Sequence, residues 1–218
     1  MSKRRRRIAL ALLAAGALMI AASAALLIRN SIEKSQAEEE AKERLVKVEQ
    51  AIEERSGKET QSESSDESAV VLPMPENKKR MPEVEIDGFW YVGYLDLPAL
   101  EAKVPVLTDY EDDKLKLSAC CYFGSVETED LVIAGHNYMT GFCRLGDLKS
   151  GDEVSFTNMD GETYYYEVAE TELLNPQQVE EMVESDYELT LFSCNYSGSQ
   201  RYTVRCHPTK SDIEKYAL

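Results

Sequence analysis

The chain reads as an all-β domain with short helices, a β-barrel or sandwich, preceded by an N-terminal transmembrane helix. Three observations predict this. Short runs rich in Val, Ile, Tyr, Phe and Thr recur along residues 83–218, separated by turn residues. Only two stretches of that region look helical, as few-helix barrels and sandwiches require. The first 30 residues hold an apolar run long enough to cross a bilayer.

That run extends from Ile8 to Ile28 without a charge and follows five basic residues, Lys3 to Arg7. The basic flank predicts a cytoplasmic N-terminus and an extracytoplasmic remainder. The small residues Ala22, Ser23 and Ala24 would suit a signal peptidase, but the run exceeds the usual length of a cleaved apolar segment, which favours a retained anchor. Residues 1–30 are thus read as basic tail and anchor. Residues 31–56 are free of Gly and Pro and carry Ala41, Leu45, Val48 and Ile52 at spacings of four, three and four, the seam of an amphipathic helix. The seam is too short for a convincing coiled coil and is read as a solvated spacer helix. Residues 57–82, rich in Ser, Glu and Pro, predict a disordered linker.

Residues 83–218 form the one domain of ordinary size. It carries 27 acidic residues against 9 lysines and arginines, which excludes nucleic acid as a natural partner. Such a surface keeps a domain soluble. It could host a hard cation such as calcium, although no ligand pattern supports one, and no cofactor is expected. All five cysteines, Cys120, Cys121, Cys143, Cys194 and Cys206, lie here. An odd number outside the cell leaves at least one thiol unpaired. If that one is Cys194, the others allow three pairings, or stay reduced as small buried hydrophobes.

The strands are taken in order. FWYVGYLDLP opens the domain, KVPVL follows, and DLVIAGHN is a buried strand ending on Gly135 and His136. EVSFTNMDGETYYYEVAETELL is a hairpin about Asp160-Gly161. Its period of two separates Tyr165 from Tyr164 and Tyr166, so the three are sheet packing rather than a ligand stripe. YELTLFSC and RYTVRC close the set; GFCRLGDL and NPQQVEEMVE are the helical stretches, the second capped by Asn175 with Pro176 at its first position.

Three strand ends carry chemistry. One delivers His136 behind a glycine that permits close approach; the others deliver Cys194 and Arg201, which share a rim if their strands are antiparallel neighbours. A thiolate attacks a carbonyl carbon, an imidazolium protonates the departing amine, and a guanidinium holds substrate or steadies the oxyanion. Arg205, two pleats on and on the same face, is the rival arginine. Asn195 and Tyr196 would line the site or simply turn the chain. Zinc is disfavoured, because no Cys-x-x-Cys pair occurs and Cys206 and His207 point to opposite faces of a strand.

TLFSC followed by RYTV, with upstream AGHN and a leading GYLDLPALEAKVPVL, resembles the sortases, membrane-anchored cysteine transpeptidases of Gram-positive cell surfaces. The resemblance covers nearly all of residues 88–208. The family's Thr-Leu-x-Thr-Cys strand falls on Thr190, Leu191, Phe192, Ser193 and Cys194, its histidine on His136 and its arginine on Arg201. Ser193 stands where threonine is usual, keeping the hydroxyl and losing a methyl. The resemblance implies an eight-stranded sortase β-barrel as the catalytic domain, with Cys194, His136 and Arg201 catalytic and Ser193, Asn137, Asn195 and Tyr196 near the substrate. It also implies the reaction: cleavage of an LPXTG-like sorting motif on secreted proteins, a thioester on Cys194, and transfer to an amine of a cell wall precursor or a pilin lysine. Two readings of other classes stay open, a Cys-His peptidase releasing product to water and a non-catalytic, membrane-anchored surface binding domain.

Overall fold

In this computed structural model the described residues are 16, 19–21, 23–24, 39–57, 81–195 and 197–209. They fall into two units, Met1–Glu40 and Ala41–Leu218. In the first, residues 16, 19–21 and 23–24 are helical. Most of the apolar run 8–28 lies outside the described residues, and among these no helix is long and apolar enough to cross a membrane. Most of the expected linker, residues 58–80, also lies outside them.

Among its described residues the second unit holds nine strands: β1 (Val84–Ile86), β2 (Phe89–Leu97), β3 (Ala102–Leu107), β4 (Ala119–Phe123), β5 (Leu131–Gly135), β6 (Glu153–Asn158), β7 (Thr163–Leu174), β8 (Leu189–Cys194) and β9 (Arg201–Pro208). Its α-helices are α1 (residues 41–57 within this unit), α2 (Asp112–Leu115) and α3 (Val179–Val183). The sheet runs β2-β3-β4-β5-β8-β9-β7-β6, and β6 pairs back onto β2. Eight strands therefore close into a barrel with few short helices, and β1 adds a short ninth ribbon along the start of β2. Only β3–β4 and β5–β8 are parallel.

Two glycines make the closure work. Gly93 sits at φ +150° where the β2 register shifts, and a Cβ there would come within 2.0 Å of the Thr157 carbonyl oxygen. A side chain would hold β6 off and leave the barrel open. Gly161 turns the β6–β7 hairpin at φ +84°, where Asn158 Oδ1 accepts from the Asp160 and Glu162 amides.

Strand alternation divides the core. Leu131, Ile133, Leu189, Leu191 and Val204 point into the barrel with Leu95, Val106 and Phe156. Val132, Ala134 and Phe192, at the intervening positions, point outward and are covered by Leu174 and by Met182 of α3. This outer layer decides where the next residues of β5 and β8 emerge.

Two expectations are corrected. The helix expected from Pro176 begins only at Val179, because Gln178 Oε1 accepts from the Asn175 backbone amide at 2.8 Å and holds those residues in a turn. The seam expected to be solvated is covered: Val48 and Ile52 of α1 are buried with Tyr91, Leu107, Cys120 and Met159. Ion pairs Lys47–Asp87, Lys103–Glu49 and Arg55–Asp160 flank that contact, at 2.9, 3.2 and 2.6 Å. They are largely exposed, so the apolar burial carries most of the docking energy.

Candidate active site

Register brings the three strand ends together. In the antiparallel β8–β9 pair, Cys194 lies directly opposite Arg201. In the parallel β5–β8 pair, Gly135 lies beside Ser193, so His136, the next residue, reaches the level of Cys194 from the other side. Neighbouring strands are about 4.8 Å apart. Three residues from three adjacent strands thus occupy one stretch of rim, with Cys194 in the middle.

Parity sets their orientation. Thr190, Phe192 and Cys194 share the outer face of β8, and Phe192 lies in the outer apolar layer. Ser193 takes the opposite, inward parity and is 1% exposed; its hydroxyl makes only a long contact with the Cys194 carbonyl oxygen, 3.5 Å. A residue between two outward neighbours on a strand faces the barrel, and Ser193, expected near the substrate, lies there.

The close approach read from Gly135 is present: a Cβ there would lie 2.1 Å from the Phe142 ring. Phe142 belongs to the 3₁₀ turn Phe142–Asp147 that fills the end of the barrel. His136 is partly buried. Burial lowers its pKa below the usual histidine range, the Asn137 side chain opposes that shift, and Lys116 reinforces it. Among the described residues Nδ1 is buried without a hydrogen-bond partner. The ring instead lies against Tyr138, centroids 3.8 Å apart and planes inclined by 32°.

Asn137 and Asn195 act on the backbone. Asn137 Nδ2 donates to the Asn195 carbonyl at 3.1 Å, joining the segment after β5 to the turn after β8. The Asn195 side chain organises that turn, donating to Ser199 Oγ and accepting from Ser197 Oγ and the Gln200 amide. Tyr196 lies outside the described residues.

The two arginines have different surroundings. Arg205 is 3% exposed and donates to Glu172 Oε1 (2.8 Å), Thr190 Oγ1 (3.0 Å), Ser185 Oγ (3.3 Å) and the carbonyls of Met182 (3.1 Å) and Glu181 (2.5 Å). Among the described residues Arg201 makes only long contacts, from Nη1 to the carbonyls of Gly198 (3.4 Å) and Gln200 (3.5 Å). Its guanidinium retains donors for a ligand.

Sequence reasoning missed three aromatics around the site. Tyr110, in the loop after β3, stands edge-on to Tyr122 at 5.0 Å, and Tyr122 edge-on to Phe192 at 5.1 Å. Burial raises the Tyr110 pKa, and its hydroxyl feels both Arg201 and Cys194. Tyr138 is the third. Nothing in a single polar loop marks Tyr110, whereas Tyr138 follows the histidine by two residues and could have been suspected.

All five cysteines carry free thiols. Burial pushes Cys120 and Cys206 up to about 12, while Cys194 is half-buried and Cys143 exposed. Among the described residues no cluster of His, Cys, Asp or Glu is arranged to hold a metal ion.

A closed eight-stranded barrel thus presents a cysteine between a histidine and an arginine at one rim, residue types that cysteine-dependent acyl transfer employs. The sequence model described as Sortase domain matches residues 95–209, more than half of the chain, and the protein belongs to the sortase family, which consists generally of cysteine transpeptidases. Among solved structures it is similar in fold to sortase C of Streptococcus pneumoniae, at 23% identity over 78% of this chain and 95% of that one, TM-score 0.52. Sortase C of Clostridium perfringens SM101 matches at 19% identity over 77% and 90% of the two chains, TM-score 0.49. Sortase A of Corynebacterium diphtheriae matches at 24% identity and TM-score 0.49, over 55% of this chain and 61% of its own length. No curated protein sequence matches the chain.

Proposed function

We propose that the protein is a transpeptidase that cleaves an LPXTG-like sorting motif of secreted proteins through a thioester on Cys194. The observation carrying this reading is the register that sets Cys194 between His136 and Arg201. The Cys194 thiolate attacks the carbonyl carbon of the scissile peptide, and Arg201 steadies the oxyanion or holds the substrate. His136 gives its proton to the departing amine as the C–N bond breaks, leaving the acyl group on sulfur. An incoming amine, of a cell wall precursor or a pilin lysine, then attacks the thioester. It surrenders a proton to His136 and returns Cys194 to the thiolate. In this reading residues 1–30 anchor the chain in the membrane with the N-terminus cytoplasmic, and the barrel works outside.

Arg201 rather than Arg205 is assigned the arginine role, because Arg205 already spends its guanidinium on five acceptors. Intact-mass spectrometry tests the whole reading. The full chain is mixed with a pool of LPXTG-like peptides, with and without glycine oligomers, beside Cys194→Ala. An acyl adduct on the wild type alone, discharged to a peptide-amine product by glycine, is expected. An adduct discharged only to water would make the protein a peptidase, and an inert Cys194 would sink the catalytic reading.

A further inference from the structure

We propose that Tyr138 is a positioning residue for His136, its phenol ring fixing the plane of the imidazole by face contact. This rests on the role given to His136 above. A working imidazole is ordinarily fixed by a carboxylate or carbonyl on its second nitrogen, which sets both tautomer and ring orientation. Here Nδ1 is buried and, among the described residues, has no such partner. The neighbouring Asn137, tied through its amide nitrogen to the Asn195 carbonyl, also hydrogen-bonds the imidazole through its side chain. What fixes the plane of the ring is the Tyr138 face at 3.8 Å.

The loop is built to put Tyr138 there. The His136 carbonyl accepts from the Met139 amide at 2.9 Å, closing a turn directly after β5, and the Met139 carbonyl accepts from Cys143 at 2.9 Å. Met139 is buried in the barrel core and pins the turn. Its predecessor is thereby thrown outward, and Tyr138, although 47% exposed, lies on the imidazole. A large aromatic left so exposed on an acidic surface contributes little to the core; its contact with His136 accounts for its place.

The stack also bears on charge. An electron-rich ring face favours a cation against it, so Tyr138 supports the imidazolium that the leaving amine requires. Burial and Lys116, at the end of α2, oppose that form. Of the strands adjoining β5, β8 carries Cys194, with Arg201 opposite it on β9, and β4 carries the ionisable groups Cys120, Cys121 and Tyr122.

The test uses the full chain in detergent micelles with histidine labelled at Cε1. The sequence has two histidines, His136 and His207, so two signals arise and His207→Gln assigns them. We expect the ring current of Tyr138 to hold the His136 signal upfield. Tyr138→Leu moves it downfield and lowers its titration midpoint further, and Tyr138→Phe preserves both. His207, which lies on Tyr187 at 4.6 Å, stays fixed throughout and reports an intact fold. In acyl transfer Tyr138→Leu lowers kcat about 10- to 100-fold with KM changed by less than about twofold, and Tyr138→Phe restores it.

An unmoved His136 signal in Tyr138→Leu overturns the proposal. So does a moved signal with unchanged kcat. If Tyr138→Leu disturbs His207, Tyr138→Thr repeats the comparison with a smaller polar side chain. A wild type that forms no acyl-enzyme sinks the functional reading and with it this role; the ring-current shift still reports whether the stack exists, so the two failures are distinguished.

Discussion

Arg205 faces Thr190 across the β8–β9 ladder and donates to its hydroxyl at 3.0 Å, while Arg201, four steps along the same ladder, faces Cys194. One guanidinium is buried and saturated, the other stands at the rim.

Their replacement should therefore separate stability from activity. Arg205→Ala leaves Glu172 and two backbone carbonyls without their donor and costs about 3 to 5 kcal/mol, read from denaturant unfolding. Arg201→Ala shifts stability by less than about 0.5 kcal/mol and lowers kcat/KM about 100- to 1,000-fold, read from acyl transfer to a glycine acceptor.

His136 gives a pH dependence of known sign. Burial lowers its folded pKa, so the unfolded chain, titrating near about 6.5, binds the proton more readily. The stabilisation is complete above that unfolded value and is lost as pH falls through the folded one. Between about pH 7 and about pH 5, wild type should lose more unfolding free energy than His136→Gln, measured by parallel urea titrations.

Gly135→Ala should damage both fold and site. The added methyl meets the Phe142 ring at 2.1 Å, and overpacking of this kind costs about 1 to 3 kcal/mol. Relief requires β5 or Phe142 to move, so kcat should fall while Cys194 still reacts with a small alkylating agent.

Ile52→Ala on α1 should destabilise the domain by about 2 to 4 kcal/mol, since Ile52 is buried with Met159 and Tyr91. Arg55→Ala, which breaks an exposed ion pair with Asp160, should cost less than about 1 kcal/mol. Thermal melts of the two variants make the comparison; equal effects would mean that the ion pair, not the apolar seam, docks the helix.

Alkylation at mildly alkaline pH should modify Cys143 and Cys194 and spare Cys120 and Cys206. The latter two are buried with thiols pushed up to about 12, and it is the thiolate that reacts. Peptide mapping after a short pulse of iodoacetamide gives the order.

Much of this was legible in the sequence because strand alternation is a strong local signal. The hairpin about Asp160-Gly161 and the strands ending at Gly135 and Cys194 could be read from period and turn chemistry alone. Two strands escaped notice. Val84–Ile86 is only three residues long, and Ala119–Phe123 contains two cysteines, which carry little strand preference. The burial of Ser193 follows from parity, but a motif match hides it, since a motif lists neighbours without saying which way each points. The docking of α1 was missed for another reason: its seam is as short as a solvated helix would show, and only Tyr91, Leu107 and Met159, far along the chain, complete it. Tyr138 on His136 is likewise a fact of loop geometry that no periodicity encodes.

The parallel pairing of β5 with β8 joins segments separated by a hairpin, a helix and more than fifty residues. Contacts of that range form late, because closing such a loop must be offset by many others. Until the barrel shuts, Cys194 has no histidine beside it and is an ordinary thiol. In the function proposed above, chemical competence would then report completed folding, because a nascent or half-closed chain lacks the pairing that sets His136 beside Cys194.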